Sequence, residues 1–167
     1  LEEVLDTATR AGRAAGSLIA QKVGAEVVKE KANARDLLTA VDSECQRVIE
    51  ETVAAHHPTH AFLGEESVPA GAKASADAIG AAMAASDAEY LWIVDPIDGT
   101  TNFVQSLPLV GVSIGVAKRN EAGQWELAVG VIVDPFKNEI FSAVAGGGAF
   151  LDGVPISVDG AALAEAV

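Results

Sequence analysis

The chain has 167 residues, half of them hydrophobic, and its 24 acidic and 11 basic residues leave a formal net charge of −13. This length and hydrophobicity exclude a small disulfide scaffold and wholesale disorder, and no uninterrupted run of about 18 apolar residues is present to cross a bilayer. The negative charge argues against direct binding of nucleic acid or anionic membranes, whose phosphates it repels. The single cysteine, Cys45, leaves no intramolecular disulfide. We therefore expect a soluble intracellular protein, without a distinction between the cytoplasm and the stroma or matrix of an organelle.

Two helices are predicted at the start of the chain. Apolar residues over 1–28 recur at intervals of three and four, which is the pattern of one buried helix face. A second helix is predicted over 42–57. Ser43 followed by Gln46 is typical of a capping box at its start, and Pro58 disfavours its continuation.

The rest of the chain predicts a mainly antiparallel sheet. Segments rich in β-branched residues, separated by short turn signals, predict strands over 61–63, 90–94, 110–117, 125–133, 139–144 and 154–158. The Ala-, Ser- and Gly-rich residues 67–88 are predicted to form a surface excursion, helical in part over 78–85. Trp92, Trp125 and Phe141 are expected in the core. Two helices followed by such a sheet make an α+β fold.

One of the predicted strands ends in two carboxylates. Asp95 and Asp98 come directly after the apolar residues 90–94, and Thr100 is expected to open a short helix. Gly99, which lies between Asp98 and Thr100, allows the backbone and the free amides of that helix to approach an anion closely. Carboxylates and main-chain carbonyls are suitable ligands for Mg²⁺. Asp-Pro and Asp-Gly are also common in turns, so an ordinary strand-to-turn junction is the alternative.

A second acidic element also follows a short apolar strand. Leu-Gly-Glu-Glu-Ser at residues 63–67 places Glu65 and Glu66 where an adjacent strand would bring them near Asp95. Two like charges about 4 Å apart cost about 4 kcal/mol at an effective dielectric constant of about 20, so such a cluster calls for a cation. Alone, Glu65 and Glu66 are better explained as a solvated acidic turn. Together, the two segments predict a metal site.

These segments resemble two N-terminal signatures of the inositol monophosphatase family of magnesium-dependent, lithium-sensitive phosphatases. The first is Gly-Glu-Glu-Ser at 64–67, and the second is Trp-Ile-Val-Asp-Pro-Ile-Asp-Gly-Thr-Thr-Asn-Phe at 92–103. The resemblance extends to residues 31–42, 110–115 and 145–150, and so covers almost the whole chain. It implies a layered α/β sandwich of the sugar-phosphatase type, with the N-terminal helices packed on the sheet.

The resemblance also implies a cofactor and a reaction, the hydrolysis of a phosphate monoester by metal-activated water with Mg²⁺. Glu65, Asp95 and the carbonyl of Ile97 would hold one ion. Asp95 would bridge to a second ion, to which Asp98 would also contribute. Glu65 and Thr100 would orient the attacking water, so that no protein nucleophile is needed.

The substrate implied is inositol monophosphate or a similar small phosphate ester. Its phosphate would be held by the amides of Gly99 and Thr100 together with Asp98. Relatives that act on histidinol phosphate, a sugar bisphosphate or a nucleotide phosphate are the enzymatic alternatives.

Three further residues match a family loop near the outer metal position. These are Lys31, Asp36 and Asp42. The alternative for Asp42 is a helix cap, and for Lys31 a solvated surface charge.

The sequence departs from the family pattern in two respects. Gln-Ser-Leu-Pro at 105–108 stands where the family usually has His-Gly-Phe-Pro. The family also continues to a Trp-Asp motif that completes the second metal site, and Val167 precedes that point. We therefore expect residues 1–167 to be the N-terminal portion of a single phosphatase domain, without the C-terminal layers. A non-catalytic relative retained as a scaffold or complex subunit is the alternative, and the resemblance implies a homodimer.

Other polar clusters are assigned structural roles. His56, His57 and His60 are interpreted as helix-end side chains rather than metal ligands, because Pro58 breaks the helix between them. Cys45 is expected to pack in the core rather than act as a nucleophile. The glycines at 146–148 lack the context of a phosphate-binding loop and predict a tight turn.

Overall fold

The computed structural model describes residues 1–25, 34–69 and 71–158. The helices are α1 (Glu2–Ala25), α2 (Ala34–His56), α3 (Ala72–Ala85) and α4 (Thr100–Val104), and one 3₁₀ turn spans Glu65–Ser67. The strands are β1 (Ala61–Gly64), β2 (Tyr90–Asp98), β3 (Gly111–Arg119), β4 (Trp125–Asp134), β5 (Glu139–Val144), β6 (Gly148–Leu151) and β7 (Val154–Ile156). The predicted α+β class is confirmed.

The seven strands form one sheet in the order β1-β2-β3-β4-β5-β6-β7. Only β1 and β2 pair in parallel, and every later neighbour is antiparallel because short turns connect β3 to β7. The predicted turn at 146–148 is confirmed: Gly146 and Gly148 adopt φ of +73° and +89°. Strand β6, which begins there, was not predicted, since four residues are too few to show an alternating pattern.

Helices α1 and α2 cover one face of the sheet and form the core with it. The predicted apolar stripe of α1 is confirmed, because Ala8, Ala11 and Ala15 are fully buried. Small residues let α1 lie close to β4: a Cβ at Gly12 would be 2.8 Å from the Cγ2 of Val133. Burial of this face supplies the main stabilisation of the fold.

Helix α2 begins eight residues earlier than predicted, at Ala34 instead of residue 42. No Gly or Pro interrupts residues 34–56, and extending an existing helix costs far less than starting one. The predicted capping box is therefore wrong, because Ser43 and Gln46 lie inside the helix. The alternative role of Asp42 as a cap is wrong for the same reason. The predicted end of the helix near residue 57 is confirmed.

The opposite face of the sheet is only partly covered. Alternation on β5 turns Ile140 into the core and Phe141 to this second face, where Phe141 is 36% exposed. The prediction that Phe141 lies in the core is therefore wrong, whereas Trp92 is fully buried as predicted. Trp125 is half-buried, and its indole Nε1 donates a hydrogen bond to the carbonyl of Met83.

Helix α3 contributes no buried residue to the core. It is longer than the predicted helical part, 78–85, because the Ala-rich residues before it are good helix formers. Among the described helices, none has the length and apolar character needed to cross a membrane.

Candidate functional site

Parallel pairing brings the acidic ends of β1 and β2 to the same edge of the sheet. Gly64, the last residue of β1, is in register with Val94, so Glu65 and Asp95 directly follow this pair. Glu65 thereby lies close enough to Asp95 to raise the pKa of the Asp95 carboxyl. The predicted meeting of the two acidic segments is thus confirmed, while the chemical roles of the residues stay predictions.

Burial and neighbouring acids disfavour the charged form of Asp95. Burial, the hydrogen bond and charge of Glu65, and the charge of Asp98 raise the pKa of Asp95 to about 7. The backbone N–H of Ile97 donates to Asp95 Oδ1 at 3.1 Å and works in the opposite direction.

Asp42 joins the cluster from the middle of α2. It is only 4% exposed, which is uncommon for an aspartate. Burial and the charges of Glu66, Asp95 and Glu65 raise the pKa of Asp42 to about 7. Carboxyl groups from α2, the 3₁₀ turn and β2 therefore share one region of negative charge.

The turn after β2 presents backbone amides beside these acids. Gly99 adopts a φ of +92°, and a Cβ there would lie 2.7 Å from the carbonyl oxygen of Leu109. Asn102 Nδ2 donates to the same carbonyl at 2.8 Å and holds the loop against α4. No side chain caps the start of α4 within the described residues, so the first amides of the helix, including that of Thr100, are available to an anion.

Sequence reasoning missed a contact between α2 and the 3₁₀ turn. Gln46 Oε1 accepts a hydrogen bond from the backbone N–H of Glu66 at 3.1 Å, and Gln46 Nε2 donates to Ser67 Oγ at 3.3 Å. The contact was missed because Ser43 and Gln46 resemble a local helix cap. The only sequence signal for the long-range contact is the glycine at position 64, which makes room for Gln46.

The oxygen donors of this region suit a hard divalent cation, but they do not form a finished coordination sphere. Within residues 1–25, 34–69 and 71–158, no three carboxylate, imidazole or thiol groups are gathered closely enough to hold an ion. The chemistry of the donors nevertheless fits, because carboxylates and carbonyls are magnesium ligands and the mutual repulsion of the acids falls when a cation is present. Lys31 lies outside the described residues, and for Asp36 only its backbone position in α2 is described.

An apolar cavity of about 430 Å³ adjoins the acids on the second face of the sheet. Glu65 and Asp95 lie on its wall next to Leu63, Ile93 and Ser113. Its volume is in the range of small-molecule sites.

The histidines near the end of α2 lie in a stacked aromatic cluster. The rings of His57 and His60 are 4.5 Å apart, and Trp92 Nε1 donates to His60 Nδ1 at 3.0 Å. Because indole nitrogen only donates, His60 Nδ1 is an acceptor here and carries no proton. Cys45 is fully buried, as predicted, and burial raises the pKa of its thiol to about 12.

Comparison with known proteins relates the whole chain to one group. The sequence profile of the inositol monophosphatase family matches residues 1–166. An inositol monophosphatase of Mesembryanthemum crystallinum is 38% identical over 95% of this chain and 53% of its own length. The Nus factor SuhB of Escherichia coli K12 is 35% identical over 92% of this chain and 51% of its own length. The solved structure of the inositol monophosphatase from Anabaena (Nostoc) sp. PCC 7120 matches with a TM-score of 0.70 and 33% identity, over 96% of this chain and 50% of that one. The chain thus spans about half the length of the relatives it matches.

Proposed function

The chain belongs to the inositol monophosphatase family, and from this membership we propose that it carries the metal-binding half of a magnesium-dependent phosphomonoesterase site. The observation that carries the proposal is the proximity of Glu65 and Asp95 at the edge where β1 and β2 pair in parallel, with Asp98 close enough to raise the pKa of Asp95. Burial and the charges of Glu66, Asp95 and Glu65 raise the pKa of Asp42 as well. Acids at this density, with raised pKa values, are typical of a site that a cation completes.

Four groups would hold the metal. Glu65, Asp95 and the carbonyl of Ile97 would form one set, and Asp95 with Asp98 part of a second. Bound magnesium supplies positive charge against the phosphate ester and makes hydroxide available near neutral pH. Asp42 lies in the same acidic region. In this proposal Asp42, Asp36 and Lys31 are the charged residues near the outer metal position.

The substrate would lie between the acids and the start of α4. Glu65 and Thr100 would orient the attacking water by hydrogen bonds, and the amides of Gly99 and Thr100, with Asp98, would hold the phosphate. The positive end of the short helix supports this orientation, because its free N–H groups face an anion without adding charge to the protein. The proposed substrate is inositol monophosphate or a similar small phosphate ester.

The direct test is phosphate release from inositol 1-phosphate in the presence of Mg²⁺, using the protein as its gene encodes it. Glu65→Gln, Asp95→Asn and Asp98→Asn are expected to lower kcat/KM by about 100-fold or more, as removal of a group acting in the transition state does. Asp134→Asn is the matched control, since Asp134 also precedes a proline and also accepts a hydrogen bond from the N–H two residues later. Wild-type rates in all three variants would refute the assignment. A panel with histidinol phosphate, a sugar bisphosphate and a nucleotide phosphate would identify the substrate class.

The second candidate is a non-catalytic relative that keeps the fold to bind a partner. It is favoured by the lack of a three-ligand group within the described ranges. Calorimetric titration with magnesium discriminates the two, because a scaffold would bind the ion no better than its Asp95→Asn variant. Homodimerisation and lithium inhibition are further expectations from the family, open to analytical ultracentrifugation and to rate measurements with lithium.

A further inference from the structure

Gln46 links the helix that carries Asp42 to the turn that carries Glu65 and Glu66. It lies one helical turn after Asp42 on α2. Both ends of its amide are used: the oxygen accepts from the Glu66 N–H, and the nitrogen donates to Ser67 Oγ. The contact joins residues about 20 positions apart in the sequence.

Gly64 makes this contact sterically feasible. A Cβ on Gly64 would overlap the amide oxygen and carbon of Gln46. The backbone of Gly64 has φ of −96° and ψ of 147°, which any residue adopts. The space occupied by Gln46, and not the backbone conformation, therefore excludes a side chain at this position.

The 3₁₀ turn itself offers little that would attach it to α2. It is three residues long, has no buried residue, and has no side-chain cap at its start. Its closing hydrogen bond, from Val68 N–H to the Glu65 carbonyl at 2.8 Å, is internal and does not attach it to α2. The amide of Gln46 supplies that attachment next to the Glu65 carboxyl.

We propose that Gln46 is a positioning residue, which holds the 3₁₀ turn so that the Glu65 carboxyl meets Asp95 and the pair can receive a divalent cation. This rests on the proposed function, and it adds to the metal ligands a residue that touches neither metal nor substrate. Outer-shell partners of this kind typically change metal affinity by about 10- to 100-fold.

The test begins with the metal-free protein and Glu66 itself. Amide hydrogen exchange at Glu66 is expected to be slow in the wild type and faster in Gln46→Met, which keeps the length of the side chain but cannot accept. Gln46→Glu keeps an acceptor and is expected to retain the protection. Gln124→Met, at an exposed glutamine in the β3–β4 turn, controls for the loss of an amide.

The second measurement is magnesium affinity by calorimetry, together with the magnesium dependence of phosphate release. Gln46→Met is expected to weaken magnesium binding about 10-fold and to shift the half-saturating magnesium concentration equally. We expect kcat at saturating magnesium to stay within about 3-fold of wild type, which a general loss of folding would not allow. Gln46→Glu should recover most of the affinity.

A double-mutant cycle tests the steric argument. Gly64→Ala should weaken magnesium binding as Gln46→Ala does, and the double variant should be no weaker than Gln46→Ala alone, because both changes break one contact. Additive losses of magnesium affinity in the double variant would overturn the inference. So would Gln46→Met with unchanged Glu66 exchange and unchanged magnesium affinity. In either case, hydrolysis by the wild-type protein would leave the proposed function intact. A wild-type protein that neither binds magnesium nor releases phosphate would overturn both.

Discussion

Replacing Asp95 by asparagine tests whether the acid cluster destabilises the metal-free protein. Burial, Glu65 and Asp98 raise the pKa of Asp95 from 3.8 to about 7 in the folded state. Between these values the folded protein binds more protons than the unfolded chain, so this group's contribution to stability is lost as the pH rises toward 7. Asparagine resembles the protonated acid, since it keeps an oxygen for the Ile97 N–H and can donate to Glu65.

The expected gain follows from the size of the change in pKa. A difference of about three pH units corresponds to about 4 kcal/mol. The carboxyl is partly exposed, so solvent screening leaves about 1 to 2 kcal/mol at pH 8. Asp95→Asn should then raise the Tm of the metal-free protein by about 2 to 8 °C at pH 8, and hardly at all at pH 4.

Thermal unfolding in a chelating buffer, followed by circular dichroism at both pH values, measures this difference. Asp134→Asn is again the control, because Asp134 Oδ1 accepts from the N–H two residues later at 2.9 Å, as Asp95 does. Burial alone would raise the pKa of Asp134, but N–H donors and the ammonium of Lys137 lower it overall, so its carboxylate stabilises the fold above pH 4. The control should therefore lose stability at pH 8. Equal destabilisation by both substitutions would refute the electrostatic reasoning.

Two further predictions concern the turn at Gly99 and the ring of His60. Gly99→Ala should destabilise the protein by about 2 to 4 kcal/mol in urea unfolding. Alanine disfavours the positive φ at this position, and its Cβ would lie only 2.7 Å from the carbonyl oxygen of Leu109. Gly123→Ala, with a φ of +77° and nothing within 4 Å, should cost about 1 kcal/mol, and equal losses would remove the steric part of the argument. Burial and neighbouring charge lower the pKa of His60, so its neutral form stabilises the fold above pH 6.5 and this contribution is lost on acidification. His60→Phe should therefore lose less stability than wild type between pH 7 and 5, although it lacks the bond from Trp92; an equal pH slope would contradict this.

Local patterns in the sequence were sufficient for most elements of the fold. The intervals of three and four in α1 and the β-branched runs of the sheet report which face of each element is buried, and burial follows those patterns. The start of α2 was not predictable in this way. Asp42 and Ser43 are typical cap residues, but the packing of Val41 and Cys45 continues the helix through them. Burial in the tertiary structure therefore outweighs the local preference of Asp42 and Ser43 for the start of a helix.

The two Asp-Pro dipeptides show what sequence determined and what only the tertiary structure decided. Both Asp95 and Asp134 precede a proline and accept a hydrogen bond from the residue two positions later, which follows from local chain chemistry. The charges of these two carboxylates nevertheless have opposite effects on the stability of the fold. Asp95 lies beside Glu65 because β1 pairs with β2 in parallel, whereas Asp134 lies 3.4 Å from the ammonium of Lys137. Nearby residues set the shape of a turn, but Coulomb interactions depend on distance in space, and strand pairing between distant segments sets that distance.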